Sequence, residues 1–307
     1  MPPIFDSVAT ILLVTILGWW LRERGHVRDE HWRGFEHISY QVFFPAVIIH
    51  SLAKADLRSV PAIGFGLTIL AAVVLMGALL FFAYPLLNRY LGVSRAAFSS
   101  VFQGGVRWNT FMAVGIAYQL YGAHGLTLVA VAIVAIIPAI NVVSVLILRR
   151  FGEGEHGPLS LVALVKNPFI WSSLVGIAIN LTGLPLPAVL LNAADMCGKA
   201  SLPAAMLLVG SGLRLNDLSR PTMPLMLASG IKLIGLPLLA AGLARLSGIT
   251  GQDLGVLLVC TTVPTASASY ILARQMGGDA RLMAAIITFQ TIASVITLPL
   301  VFLAIGP

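Results

Sequence analysis

The sequence predicts an all-α integral membrane protein: ten transmembrane helices arranged as two inverted five-helix repeats. Three observations carry that prediction. Of 307 residues, 58% are hydrophobic and only 10% charged, with a mean hydropathy of +0.94 and repeated uncharged runs long enough to cross a bilayer. A soluble domain has no use for so much apolar surface. The two halves also match at an offset of 156 residues. Arg89, Gly92, Val93 and Ser94 meet Arg245, Gly248, Ile249 and Thr250, and Ala117, Gln119 and Gly122 meet Ala273, Gln275 and Gly278. The third observation is a strong bias of Lys and Arg toward alternate loops.

The elements follow in order. Span 1 is expected at about 4–21 and is followed by a basic loop (Arg22, Arg24, Arg28, Arg33). Span 2 covers about 35–53 with Pro45 inside it, and span 3 covers about 60–87. Span 4, about 95–121, carries an interruption, and span 5, about 126–148, contains Pro138 and Asn141. Residues 1–150 form the first repeat, 151–166 a polar, Gly-rich cytoplasmic linker, and 167–307 the second repeat. Span 6 opens at Asn167-Pro168 and ends near Gly183; span 7 is about 188–213 and span 8 about 221–246. Span 9, about 252–276, is broken at Pro264, and span 10 is about 281–304.

Loops after odd-numbered spans hold thirteen basic residues: Arg22, Arg24, Arg28, Arg33, Arg89, Arg95, Arg149, Arg150, Lys166, Arg214, Arg220, Arg274 and Arg281. The opposite side holds three, Lys54, Arg58 and Arg245, while Arg107, Lys199 and Lys232 fall inside spans. The positive-inside rule places the odd loops in the cytoplasm and both termini outside. Five spans per repeat then forces the second repeat to run upside down. The net charge of +7 is therefore a topology signal, and no nucleic-acid partner is expected. The N-terminus lacks a basic segment ahead of its first apolar run, as expected of a first span rather than a cleaved signal. Two cysteines, Cys197 and Cys260, give neither a disulfide framework nor metal-ligand spacing, so no metal or cofactor is expected.

The stretch Gln103-Gly104-Gly105-Val106-Arg107-Trp108-Asn109-Thr110 lies in the middle of span 4, and Trp108 and Asn109 fall by the offset on Pro264 and Thr265. Gly104, Gly105, Pro138 and Pro264 are the expected helix breaks. Backbone freed by a break at membrane depth is tolerated only against protein or a water-filled cavity. Broken helices at matching positions of two repeats point to the binding site of a secondary transporter. Arg107 can bind a carboxylate there or act as a structural strut. Asn109, Thr110, Asn141, Thr265 and Ser267 can ligate substrate or tie down freed backbone. Asp195 and Lys199 stand four apart in span 7 and share a face. They form a structural ion pair or a proton site, and Lys232 in span 8 balances charge or helps hold an anion.

Trp108-Asn109-Thr110 with the apolar, Gly-containing run after it resembles the Pro-Asn-Thr crossover of the auxin efflux carrier family, which includes the plant PIN-FORMED carriers and bacterial malonate or malate permeases. Asn167-Pro168 with Gly176, Asn180 and Pro187 is similar to the family's sixth helix, and Pro203-Ala204-Ala205-Met206 through Gly210 and Leu213 to its seventh. Lys232-Leu233 to Pro237, Pro264-Thr265-Ala266 and Thr297-Leu298-Pro299 continue the likeness across nearly the whole chain. The resemblance implies a sodium/proton-antiporter-like fold with broken, crossing helices 4 and 9. In it, spans 1, 2, 6 and 7 form a scaffold and spans 3–5 and 8–10 a mobile bundle with elevator-type motion, often in a homodimer. This chain departs from the family by Trp108 in place of proline and by Ala268 where many bacterial relatives carry asparagine; both departures bear on the substrate.

The expected activity is secondary transport of a small organic anion across a bacterial inner membrane, driven by protons. The substrate class is a malonate- or malate-like carboxylate or an auxin-like acid, because the cations within the spans outnumber the single Asp195. A sodium-coupled symporter of the bile acid type shares the ten-span plan and is separated by sodium-dependent uptake. A membrane enzyme is disfavoured: the sequence has no HExxH, no nucleophile–base pair and no clustered acids. A passive channel is distinguished by saturable counterflow.

Overall fold

A computed structural model describes residues 2–54, 62–153, 168–183, 185–213, 222–266 and 268–306, and helix is the only regular structure among them. The linker beyond Glu153 and the candidate Ser267 lie outside the described residues.

α1 (Pro2–Glu23) is followed by α2 (Asp29–Ile38), a π-helical turn (Ser39–Phe43) and α3 (Phe44–Lys54). Proline has no N–H and its ring clashes with the carbonyl four residues back. The widened π turn ending just before Pro45 relieves that clash within a continuing rod. The same device recurs where α9 (Met223–Gly230) passes through a π turn (Ile231–Gly235) into α10 (Leu236–Leu246), just ahead of Pro237. Between these lie α4 (Ala62–Leu91), α5 (Arg95–Val106), α6 (Thr110–Phe151), α7 (Pro168–Thr182) and α8 (Ala188–Ser211). The chain closes with α11 (Gly251–Thr262), α12 (Ala268–Gln275) and α13 (Ala280–Ile305). The stretches Ala62–Leu91, Arg95–Phe151, Met223–Leu246 and Ala280–Ile305 are each long and apolar enough to cross a membrane. The chain is a multi-pass membrane protein.

The 156-residue offset reappears in the backbone. α5 and α11 each have 12 residues, and their starts and ends differ by that offset. α4 and α10 both run into a left-handed glycine, Gly92 (φ 63) and Gly248 (φ 71), a conformation that costs glycine nothing.

By packing, the chain divides into two compact units: Met1–Gly66, Thr110–Ala135 and Leu161–Gly212 form one, and Leu67–Asn109, Ile136–Ser160 and Leu213–Pro307 the other. The family resemblance implies that residues 110–135 belong with spans 3–5; in the structure they pack with α1–α3, α7 and α8. Phe111, for example, stacks on Phe44 with ring centroids 4.5 Å apart.

In the first unit, α1 lies on α8, and α3 lies on α7 and α8. The helices meet through missing side chains: a Cβ on Gly210 would sit 1.8 Å from the Thr15 carbonyl oxygen, and one on Gly18 2.2 Å from that of Leu207. Small residues at such contacts are how helices associate where lipid supplies no hydrophobic drive. In the second unit, α5 packs on α9 and α13, and α11 on α10 and α13. Phe98 there contacts Tyr84 and Phe151 at centroid distances of 4.6 and 4.8 Å.

Two expected breaks are corrected. α5 runs through Gly104 and Gly105 and ends at Val106. The glycines serve close packing instead: a Cβ would come within 2.9 Å of Ile286 at Gly104 and 3.0 Å of Leu80 at Gly105. α6 continues through Pro138, and its one non-helical residue is Gly122 (φ 57, ψ −139), which separates residues 110–121 from 123–151. A proline within a membrane helix is tolerated when neighbouring groups take up the freed carbonyl.

Candidate functional site

A helix end leaves carbonyls and N–H groups without partners, and at membrane depth each must find one. Two such ends meet in the second unit. α5 stops at Arg107, which is extended (φ −75, ψ 155), and α11 stops at Val263 (φ −57, ψ 146), its counterpart by the offset. Had α5 continued, the Asn109 N–H would have bonded the Gly105 carbonyl. It donates instead to the Pro264 carbonyl at 2.7 Å. The Gly104 carbonyl accepts from Thr265 Oγ1 at 2.8 Å and from Gln290 Nε2 at 2.9 Å, using both lone pairs. The Thr265 N–H, lost to α11, donates to Gln290 Oε1 at 2.9 Å, and Gln290 Nε2 also reaches the Ala228 carbonyl at 3.4 Å. The Thr261 carbonyl, which Thr265 would have served, accepts from Lys232 Nζ at 3.0 Å. Gln290 of α13 thereby joins α5, α9 and the second break.

Arg107 heads the first interruption. Only 8% of it is exposed, and its Nε and Nη1 are buried with no partner. The neighbouring Trp108 Nε1 and both amide atoms of Gln103, one turn earlier, are likewise buried and unpartnered. Asn109, Pro264 and Thr265 are buried with them. Thr110 opens α6, half-buried, and Asn141 is half-buried further along the same helix. The structure thus joins Asn109, Pro264 and Thr265 through backbone and side-chain hydrogen bonds to the two breaks, and Asn141 is not part of that network. Gln103 opens the stretch that the sequence marks out but is not among its candidate ligands; its place four residues before Arg107 in an apolar run is the available signal.

Asp195 and Lys199 belong to the first unit. They form an ion pair on α8 at 2.7 Å, with side chains 40% and 69% exposed. They line a cavity of about 320 Å³ with His50, Lys54, Tyr118 and Ser201. Cationic groups outnumber the one carboxylate there, and Val47, Val114 and Leu126 supply apolar wall.

Apolar helices, two of them interrupted and tied together around a buried, unsatisfied cation, define a membrane transport protein. A family model described as membrane transport protein matches residues 3–157 and 155–302, so the chain belongs to that family, the auxin efflux carrier family. An uncharacterized transporter of Methanothermobacter thermautotrophicus is 25% identical over 298 residues, covering 96% of both chains. One of Methanocaldococcus jannaschii is 22% identical over 301 residues, again covering 96% of both.

Proposed function

We propose that this chain is a secondary active carrier of a small organic anion and that Arg107 binds the substrate carboxylate. The observation that carries the reading is the guanidinium itself: buried, at the start of a helix break, with Nε and Nη1 unpartnered. A buried cation with unused N–H groups is costly at membrane depth, and a carboxylate relieves that cost through paired charge-assisted bonds. Asn109, Thr110, Thr265, Ser267 and Asn141, with the Pro264 backbone, supply the uncharged contacts. A malonate- or malate-like acid or an auxin-like acid fits that set.

The chain crosses the membrane ten times as two inverted repeats, with both termini outside, in the plasma membrane. The equal lengths of α5 and α11, and their matching ends, support this reading. Transport proceeds by elevator-type alternating access in a homodimer, and protons drive it. Asp195 is the coupling carboxylate, with Lys199 as its partner.

Reconstituted vesicles test both parts. Saturable counterflow of a carboxylate, abolished by Arg107→Gln, is expected; flux that rises linearly with concentration and ignores that substitution contradicts a carrier with its site at Arg107. Asp195→Asn should abolish uptake driven by a pH gradient and leave exchange intact. Driven uptake at the unsubstituted rate would remove Asp195 from the coupling role.

A further inference from the structure

The cavity of the first unit is lined by two residue pairs, each spaced four apart on one helix: His50 and Lys54 on α3, Asp195 and Lys199 on α8. Residues at that spacing share a helix face. The two helices come close beside the cavity, since a Cβ on Gly198 would lie 3.1 Å from Val47 Cβ. His50 is within electrostatic reach of Lys54, Asp195 and Lys199, so the four groups form one cluster. Asp195 is taken by Lys199 at 2.7 Å. Among the described residues, no carboxylate pairs with His50 or Lys54. The cavity therefore carries a net positive charge even with His50 neutral, because two ammonium groups face one carboxylate.

The kind of cation and the walls narrow the ligand. No arginine is among the described residues lining the cavity. A carboxylate is held best by the planar guanidinium fork, whereas ammonium groups act as point charges and suit the spread oxygens of a phosphate. Val47, Val114 and Leu126 make much of the remaining wall apolar. A free inorganic phosphate gains nothing from those side chains and gives up water beside them. A phospholipid brings both parts: a phosphate for the cations, and glycerol and upper acyl carbons for the apolar wall. The volume, about 320 Å³, is at the small end of ligand pockets and suits a headgroup rather than whole acyl chains. Lys54 is the last residue of α3 and is exposed. The end of an apolar helix lies at headgroup level, where basic pockets between helices take anionic lipids.

We propose that this cavity binds the phosphodiester headgroup of an anionic phospholipid, held by Lys54 and Lys199 with His50 beside them. The single negative charge of such a headgroup matches the excess of one ammonium over Asp195. The site lies wholly in the first unit. It depends neither on an anion at Arg107 nor on a coupling role for Asp195, and so goes beyond the carrier reading above.

The test is a thermal melt of the detergent-purified protein titrated with dioleoyl phosphatidylglycerol, with dioleoyl phosphatidylcholine, and with inorganic phosphate at constant ionic strength, no carboxylate being present. A ligand of the folded form raises the melting temperature by mass action. Phosphatidylglycerol should raise it saturably, and zwitterionic phosphatidylcholine and inorganic phosphate should not. Lys54→Gln should raise the half-saturating concentration of phosphatidylglycerol about fivefold, the effect of one lysine near an anionic headgroup. Arg245→Gln removes the same charge from an exposed helix end that does not line the cavity, and should leave that concentration unchanged. Asp195→Asn removes the opposing carboxylate and should lower it. Equal responses of Lys54→Gln and Arg245→Gln overturn the proposal, as does a rise with phosphatidylcholine equal to that with phosphatidylglycerol. A rise with inorganic phosphate that matches the lipid's overturns the lipid as the source of the phosphate. If Lys54→Gln does not fold, Asp195→Asn decides, and an unchanged half-saturating concentration there overturns the site. Failure here leaves the role of Arg107 untouched, and failure at Arg107 leaves this test intact.

Discussion

Arg107 and Gln290 are both buried at the helix breaks, yet they stand in opposite states. Gln290 uses its oxygen and its nitrogen on three backbone groups. Two of the Arg107 nitrogens have nothing. The first pattern is structural, and the second is the observation on which the proposed anion site rests. Gln290→Leu should therefore lower thermal stability, because it strands the buried Thr265 N–H, a loss of about 1–3 kcal/mol for one unsatisfied group. An unchanged melting temperature would mean that water or a rearranged break satisfies it. Arg107→Gln should spare stability and weaken carboxylate binding by about 2–5 kcal/mol, the range for truncating one partner of a buried charge pair. Lys199 and Asp195 were legible as a pair from their spacing alone, since residues four apart on a helix face one another. The partner of Lys232 was not legible, because a carbonyl freed 29 positions along the chain leaves no mark in side-chain chemistry.

At the scale of elements, interruptions fall where the offset placed them, on Pro264 as expected but not on Gly104, Gly105 or Pro138. Trp108 and Pro264 lie in the two breaks, whereas the glycines beside Arg107 remain helical and Pro138 passes through α6 without a break. Glycine's low helix propensity was the legible signal. Its use as a packing notch against Ile286 and Leu80 is a tertiary fact that propensity does not contain. The same holds for α1 and α8, whose backbones approach through Gly18 and Gly210. Gly210→Ala has no room at the Thr15 carbonyl and should cost about 1–3 kcal/mol or more through enforced separation of the two helices. Gly230→Ala, with no atom within 4 Å of its added Cβ, should be silent in the same melting assay. Equal behaviour of the two variants would count against the close α1–α8 contact.

At the scale of the whole molecule, composition and hydropathy made the membrane assignment plain, and the family match spans nearly the full chain. The two packed units were only partly legible. Each gathers segments from both halves of the sequence, and residues 110–135 pack with α1–α3, α7 and α8, whereas the family resemblance implies a place with spans 3–5. Burial periodicity cannot reveal which apolar helices prefer one another when lipid is as apolar as they are. The excess of cations over carboxylates inside the membrane predicts a preference for anions at this scale. Neutral analogues of the same shape should neither stabilise the protein nor compete for counterflow, and competition by an uncharged amide would contradict that preference.

The most direct measurement is the melting temperature of purified protein against a panel of mono- and dicarboxylates, neutral solutes and sodium, for the wild type and for Arg107→Gln. A ligand that binds only the folded form raises the melting temperature in proportion to its occupancy. The expected result is a dose-dependent rise with carboxylates that vanishes in Arg107→Gln. A carboxylate rise that persists in Arg107→Gln, or a rise confined to sodium, would contradict the placement of the anion site at Arg107.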